Sequence, residues 1–174
     1  MQTAPQFSYP GLEDQALVYE ALGLVYHKFS NMARIVDTGN AFLILEVENE
    51  NVLKNLVRNQ PLIAKICTRY GLQGFYIFSL PNFAPGIDAT TRMFAPGYGI
   101  NEETEAGTAA GSLACYLYRF VNKKTRYRIE EGKFIRHTDP VLIDVNLILD
   151  NNKILGLYTG ENTEAVKQLM IETV

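Results

Sequence analysis

The stretch of sequence that decides the fold runs from Arg92 to Val121 and reads RMFAPGYGINEETEAGTAAGSLACYLYRFV. It opens with an apolar, β-leaning segment that Ala95-Pro96-Gly97 interrupts, and residues 101–105 read as a polar, acidic turn. From Gly107 onward the residues are first small and then large and apolar. This order predicts a strand, a loop and a helix that begins at Gly107. Because acids lie beside a helix start free of bulky side chains, we expect the binding or chemistry of the protein to be assembled there.

The predicted helix from Gly107 to about residue 122 is apolar on nearly every side, and Arg119 is its only charged residue. A helix of this kind is normally buried, so strands elsewhere in the chain must cover it. Patterns typical of strands occur at residues 33–36, 41–47, 74–80, 90–94, 126–129, 133–136, 141–149 and 154–158. We therefore expect an α+β domain in which a curved, mostly antiparallel, barrel-like sheet wraps around this central helix.

Helical patterns also occur outside the central stretch. One covers residues 13–22 and ends before Gly23, a second covers residues 51–58, and a third has Pro61 in its first turn and ends at Gly71. An additional amphipathic helix is predicted at residues 161–174. The length of 174 residues suits a single domain spanning residues 1–174.

Composition and charge narrow the function classes. A net charge of −3 gives no broad electrostatic reason to expect nucleic acid or an anionic membrane as a partner. The longest charge-free run, Gly71–Ile87, is interrupted by prolines and glycines, so it does not predict a membrane helix. Cys67 and Cys115 each lie in an apolar helical pattern and are interpreted as buried thiols in a reducing compartment. With no signal-peptide pattern at the start, these features predict a cytoplasmic protein.

The helix start at Gly107 is the first candidate site. Unpaired backbone N–H groups and the positive end of the helix dipole could hold a carboxylate there, because no bulky side chain blocks its approach. The alternative is an ordinary helix N-terminus, with Glu102, Glu103 and Glu105 favoured nearby for the same electrostatic reason.

Other chemistry-bearing residues are fewer. His27 and His137 have no metal-ligand partners at suitable spacing and are interpreted as surface or structural residues, so no metal is expected. The position of Cys115 well inside the apolar helix favours packing over nucleophilic catalysis. The basic stretch Lys123–Arg128 alternates as a solvated strand face does, and a phosphate-binding role is the alternative.

The run from Arg92 through Leu117 resembles the signature of the phenazine-biosynthesis isomerase-like family, which shares the diaminopimelate epimerase fold. In that family the pattern is roughly Arg-x-Phe-Ala-Pro-x-x-Gly, a short gap, and then Glu-Asp-Pro-Ala-Thr-Gly-Ser-Ala-x-Gly. The segment Asp37-Thr38-Gly39-Asn40 and the apolar strand after it are also similar to the family. The resemblance extends to about Gly160 and implies the C-terminal domain of a two-domain protein. The family's other domain supplies a catalytic glutamate and a Gly-His-Pro motif, and this sequence contains no Gly-His-Pro.

The resemblance also implies roles for individual residues. The catalytic-region aspartate of the family falls on Glu103, and a serine near the helix start falls on Thr108. Asn40, Gly107, Thr108 and Ala109 are then expected to bind substrate. Ala106 stands where related epimerases and racemases carry a catalytic cysteine, so cysteine-based racemisation is not expected.

The family's chemistry implies an isomerase or epimerase that moves a proton on a small carboxylated metabolite without a cofactor. Proton transfer at carbon needs opposed groups or one well-placed base, and this chain is expected to offer one side of the cleft. A second copy in a homodimer, or a complementary domain of the N-terminal type, would complete it. The alternative is a non-catalytic member that binds a small ligand or a protein partner through the same helix start.

Overall fold

The computed structural model describes residues 1–27, 30–81, 84–103 and 107–161, and the side chains of residues 98, 100–103 and 161 lie outside that description. The described residues form ten strands and four α-helices. The strands are β1 (Gln2–Thr3), β2 (Gln6–Ser8), β3 (Arg34–Asp37), β4 (Ala41–Glu46), β5 (Gly74–Ser79), β6 (Ala89–Ala95), β7 (Ile100–Glu103), β8 (Arg126–Glu131), β9 (Val141–Asp150) and β10 (Lys153–Glu161). The helices are α1 (Leu12–Ala21), α2 (Glu50–Lys54), α3 (Gln60–Tyr70) and α4 (Gly107–Phe120). The helix predicted at residues 161–174 lies outside the described residues.

One curved sheet contains all ten of these strands. Its order is β1-β10-β9-β8-β6-β5-β4-β3-β2, and β7 pairs with β6 beside this path. Of the nine described strand pairs, seven are antiparallel, and the parallel ones are β4–β5 and β6–β8. The predicted α+β class and mostly antiparallel sheet are therefore confirmed.

The sheet curls around α4, as the all-round apolar pattern of that helix predicted. The side chains of Ala109, Leu113 and Ala114 are fully buried and pack in one cluster with inward-facing residues of the sheet. The two ends of the strand order, β1 and β2, are neighbours in sequence. The backbone N–H of Thr3 donates to the carbonyl of Thr38 at 3.1 Å, so β1 contacts the far side of the sheet and brings the barrel towards closure.

A second layer covers the outer face of β3, β4, β5 and β6. It consists of α1, α2 and α3, whose fully buried Val18, Leu53 and Ile63 belong to a separate apolar cluster. The predicted limits of α3 are confirmed. Pro61 lies in its first turn, and Gly71, in a left-handed conformation (φ 65°), follows its last residue. The helix predicted at residues 51–58 is shorter, since α2 ends at Lys54.

A polar contact joins the first and third helices within this layer. The Tyr70 hydroxyl donates to Asp14 at 2.5 Å, and Arg69 forms an ion pair with the same carboxylate. These two interactions, the tyrosine hydrogen bond first, hold the pKa of Asp14 below its usual value.

Two sequence predictions are wrong. The polar turn predicted at residues 101–105 begins as a strand, because Gly99 (φ 74°) reverses the chain and β7 folds back on β6. Residues 133–136 do not form a strand. Both edges of β8 are already paired, one with β6 and the other with β9, and the chain after Glu131 forms a turn closed by the Ile135 N–H on the Gly132 carbonyl.

Candidate functional site

The barrel brings the predicted site segments to one end, which we call the site end. In the β4–β5–β6 register, Phe42 pairs with Gly74, and Phe75 pairs with Phe94, so the start of β4 lies at the same end as the finish of β6. The β3–β4 turn that contains Asn40 therefore lies there with the end of β6, and Gln2 links this turn to Gly107, the first residue of α4. Sequence reasoning placed these segments in one site, and the topology brings them together.

The β3–β4 turn is held by its own polar groups. The Gly39 N–H donates to the Asp37 carboxylate at 2.8 Å, and Gly39 adopts a positive φ of 108° that a glycine tolerates readily. Asn40 is exposed at the edge of the turn, whereas the side chain of Thr38 is buried. The exposed amide of Asn40 is thus available to a ligand at the site end.

A buried hydrogen-bond network joins this turn to α4. The Thr38 hydroxyl donates to Gln2 Oε1 at 2.6 Å and lies 3.1 Å from the Ser112 hydroxyl. The Gln2 amide nitrogen contacts the Gly107 carbonyl at 3.4 Å. Gly111 makes room for this glutamine, since a Cβ there would lie 2.6 Å from its amide atoms. The network fixes the turn relative to the first two turns of the helix.

Sequence reasoning missed this network. Gln2 reaches α4 only because β1 pairs with β10, with Gln2 opposite Leu157, a contact across nearly the whole chain. The signal that could have indicated it is Gly111 itself, a glycine inside a buried helix, where close approach of another group is the usual reason for the missing side chain.

The first turn of α4 offers backbone donors and contains no acidic side chain. Gly107 is partly buried, Thr108 is exposed and the Ala109 side chain is fully buried, so Ala109 can meet a ligand only through its N–H. No acidic residue lies in this turn. The four leading N–H groups of an α-helix have no partner within the helix, and they carry the positive end of its dipole. A carboxylate is the group that this turn can bind best.

Glu103, the predicted acid, is the last residue of β7. Its backbone lies opposite Met93 of β6, near the site end, while its side chain lies outside the described residues. Ala106 and Glu105 lie outside the described residues as well. The assignment of Glu103 as the proton-transfer residue therefore stays a prediction.

Arg92, the first residue of the motif, belongs to the outer layer and not to the site. Its guanidinium is buried on the outer face of β6 and donates to the Leu53 and Lys54 carbonyls at 3.1 Å each. These carbonyls are at the C-terminus of α2, where the negative end of the helix dipole favours a cation. The arginine in this signature thus fixes α2 to the sheet.

A buried carboxylate inside the barrel was also missed. Glu131 is fully buried at the end of β8, opposite Thr91 of β6, and its carboxylate accepts a hydrogen bond from the Tyr76 hydroxyl at 3.0 Å. Thr91 in turn donates to the Tyr76 oxygen at 3.1 Å. The alternation of inward-facing Tyr127 and Ile129 on β8 would have placed Glu131 on the core side.

The remaining candidates do not form a reactive centre. His27 and His137 are exposed, and burial raises the pKa of both Cys67 and Cys115 to about 12, which keeps the thiols protonated and unreactive at neutral pH. Arg126 and Arg128 form ion pairs with Asp144 on the outer face of the sheet, as expected of a solvated strand face.

Across the described ranges, no cluster of three or more His, Cys, Asp or Glu residues could hold a metal ion. Among those same residues, no helix is long and apolar enough to cross a membrane.

The curled sheet around one buried helix, with the β3–β4 turn and the helix start at one end, defines a diaminopimelate-epimerase-like α+β domain. The chain belongs to the phenazine biosynthesis-like protein family, whose sequence profile matches residues 1–166.

Solved structures share this fold, and curated relatives match the chain in sequence. A phenazine biosynthesis protein of the PhzF family from Bacillus anthracis superimposes with a TM-score of 0.73 at 21% identity, covering 92% of this chain and 58% of that one. A predicted epimerase from Pseudomonas aeruginosa gives a TM-score of 0.65 at 21% identity, covering 93% of this chain and 57% of that one. An uncharacterized isomerase from Clostridium acetobutylicum is 26% identical over 138 residues, which are 76% of this chain and 45% of that protein.

An uncharacterized isomerase from Schizosaccharomyces pombe is 29% identical over 126 residues, which are 70% of this chain and 56% of that protein. The chain thus spans about half the length of the curated relatives it matches. That share is what one domain of a two-domain protein would cover.

Proposed function

We propose that this domain forms one side of an isomerase cleft, in which a proton is moved on a small carboxylated metabolite without a cofactor. The observation that supports the proposal most strongly is the convergence of the Asn40 turn, β7 and the first turn of α4 at one end of the barrel. The names of two relatives, both uncharacterized isomerases, point to the same reaction class.

In this proposal each residue has a separate task. The N–H groups of Gly107, Thr108 and Ala109 bind the substrate carboxylate, and the exposed amide of Asn40 binds a second polar group of the substrate. Glu103 takes or returns the proton at carbon, as general acid–base catalysis requires of a group close to the reacting atom. The Gln2–Thr38–Ser112 network acts through the other residues, because it sets the position of the Asn40 turn relative to the helix start.

The direct test of the chemistry is solvent exchange. Small carboxylic acids with an acidic C–H are incubated with the protein in D2O, and deuterium incorporation is followed by proton NMR. We expect incorporation that disappears in Glu103→Gln and persists in Glu20→Gln, a matched change at an exposed position of α1. Binding without any exchange would instead support the alternative, a non-catalytic ligand-binding member of the family.

The carboxylate site has its own test, independent of turnover. Thr108→Pro removes one N–H from the first turn, where proline is tolerated, and Thr108→Ala removes only the hydroxyl. If the backbone binds the carboxylate, affinity falls in the proline variant and is retained in the alanine variant. Equal affinity in both variants would rule out the Thr108 N–H as a donor.

The opposite side of the cleft must come from another domain, and we propose a second copy of this chain or a complementary N-terminal-type domain. Light scattering at several concentrations distinguishes the two. A dimer supports the second copy, and a monomer at the highest concentration rules it out as a constitutive partner and leaves the complementary domain.

A further inference from the structure

A cavity of about 580 Å3 lies at the opposite end of α4 from the proposed site. It opens along the seam of the barrel, where β2 and the start of β10 face each other without pairing, because β1 pairs with β10 only at Gly156 and Leu157. The residues that line it come from the β1–β2 connection, β2, the last turn of α4 and the chain after it, the β9–β10 turn and the start of β10. They are Pro5, Phe7, Tyr118, Arg119, Phe120, Lys123, Asn152, Lys153 and Ile154. We call it the seam cavity.

Aromatic rings form much of its inner surface. Phe7 and Phe120 meet edge to face with ring centroids 5.7 Å apart, and the Arg119 guanidinium lies 5.1 Å from the first ring and 5.7 Å from the second. The Lys123 ammonium lies 5.9 Å from the centre of the Tyr118 ring. Flat apolar surface with a cation beside it suits a flat ring that carries negative charge.

Three cations lie at this cavity. Arg119, Lys123 and Lys153 are exposed, and none of the described lining residues carries a carboxylate. The negative end of the α4 dipole is equivalent to only about half an elementary charge, and Asp150 lies opposite Lys153 in the β9–β10 register, so the three cations still leave a positive excess among the described residues.

Neighbouring cations behave differently. Lys124 forms an ion pair with Asp88 at 2.6 Å, and Arg128 forms one with Asp144 at 2.9 Å. For the three cations of the seam cavity, the described residues supply no ion-pair partner. A site with three such cations, two of them over aromatic rings, favours an anionic ligand.

We propose that the seam cavity binds a compact dianion that carries a flat ring, of the class that includes nucleoside monophosphates and aromatic dicarboxylates. Its volume falls in the range of about 300–1,000 Å3 that is usual for small-molecule sites. The three cations contact the charged groups of the ligand, and Phe7 with Tyr118 packs against the ring. This site is separate from the one at Gly107 and does not depend on the isomerase proposal.

Isothermal titration with four probes tests both parts of the ligand. Adenosine monophosphate and phthalate carry a ring and two negative charges, adenosine has the ring alone, and pyrophosphate has the charge alone. We expect adenosine monophosphate or phthalate to bind about tenfold or more tightly than adenosine and pyrophosphate, which corresponds to about 1.4 kcal/mol in binding free energy. If adenosine monophosphate alone binds, the ligand is a nucleotide, and if phthalate alone binds, it is an aromatic acid. Equal binding of pyrophosphate, or no binding of either ringed dianion at millimolar concentration, overturns the proposal.

Variants locate the binding. Lys123→Glu and Lys153→Glu are expected to weaken it about tenfold or more, because each replaces a favourable contact by a repulsive one. Lys65→Glu makes the same change in net charge on the exposed side of α3 and should leave it unaltered. Phe7→Leu keeps the charge and removes the ring, so it should weaken binding of both ringed dianions without affecting pyrophosphate. A uniform response to all four substitutions would place the binding elsewhere.

Discussion

Substituting Gly111 by alanine tests the network that joins the Asn40 turn to α4. In the interior of a helix, glycine to alanine is normally stabilising by about 0.8–1.0 kcal/mol. Here the new Cβ would lie 2.6 Å from the amide atoms of Gln2, far inside a normal contact, so the glutamine must move. Moving it breaks the 2.6 Å hydrogen bond from Thr38 and the 3.4 Å contact with the Gly107 carbonyl.

Each of these hydrogen bonds contributes roughly 0.5–1.5 kcal/mol. The loss of both is about 1–3 kcal/mol, which offsets the gain in helix propensity, so we expect Gly111→Ala to range from neutral to about 2 kcal/mol destabilising. In a Gln2→Ala background the atoms nearest the new Cβ are removed, so the same substitution should be stabilising by about 0.8–1.0 kcal/mol. The coupling between the two positions is then about 1–3 kcal/mol.

The assay is urea unfolding of the wild type, the two single variants and the double variant, followed by far-UV circular dichroism and tyrosine fluorescence. Coincident transitions by the two probes justify a two-state free energy for each protein. If Gly111→Ala stabilises the protein equally with and without Gln2, the close approach has no energetic consequence and the argument for the network fails.

Three further substitutions test other parts of the structure by urea unfolding. Arg92→Met should lower the free energy of unfolding by about 2–3 kcal/mol, because two charge-assisted hydrogen bonds to the end of α2 are lost. A decrease below about 0.5 kcal/mol would contradict this role of Arg92. Gly74→Ala should lower the free energy of unfolding by about 1–3 kcal/mol, since the new Cβ would lie 2.7 Å from the Phe94 carbonyl oxygen. Gly97→Ala is the control, because a Cβ at Gly97 would have open space around it and should have little effect. Asp14→Asn should lower the free energy of unfolding more at pH 6 than at pH 3. Because the pKa of Asp14 is lowered in the folded protein, the ionised carboxylate stabilises the fold above about pH 4, and this stabilisation is lost as the pH falls further. Equal losses at both pH values would show that ionisation of this group is not involved.

The parts of the fold that depend on local pattern were predictable. The all-round apolar character of residues 107–120 indicated a buried helix, and a buried helix requires a sheet around it. The limits of α3 followed from Pro61 and Gly71, whose backbone preferences act within a few residues. The motif and the Asn40 turn were placed in one site through resemblance to a family, and the topology places both at the same end of the barrel.

What depends on distant pairing was not predictable from local patterns. The strand pattern at residues 133–136 was misread because nothing nearby shows that β8 already has a neighbour on each side. The role of Gln2 requires knowledge of its pairing with Leu157, and the role of Arg92 requires the end of α2 to lie over β6. The acid at Glu131 was overlooked because Glu131-Gly132 was interpreted as a turn, whereas β8 continues through Glu131.

The pairing of β1 with β10 also has a consequence for how the protein is made. Gln2 precedes its partner Leu157 by about 155 residues, so this pair cannot form until the chain through Leu157 has been synthesised. Until then the apolar side chains of α4 that pack against β9 and β10 remain partly exposed to solvent. Closure across so long a separation is slow to nucleate. A segment joined directly to β1 has to be accommodated at this seam, whereas a spacer of flexible residues leaves β1 free to pair.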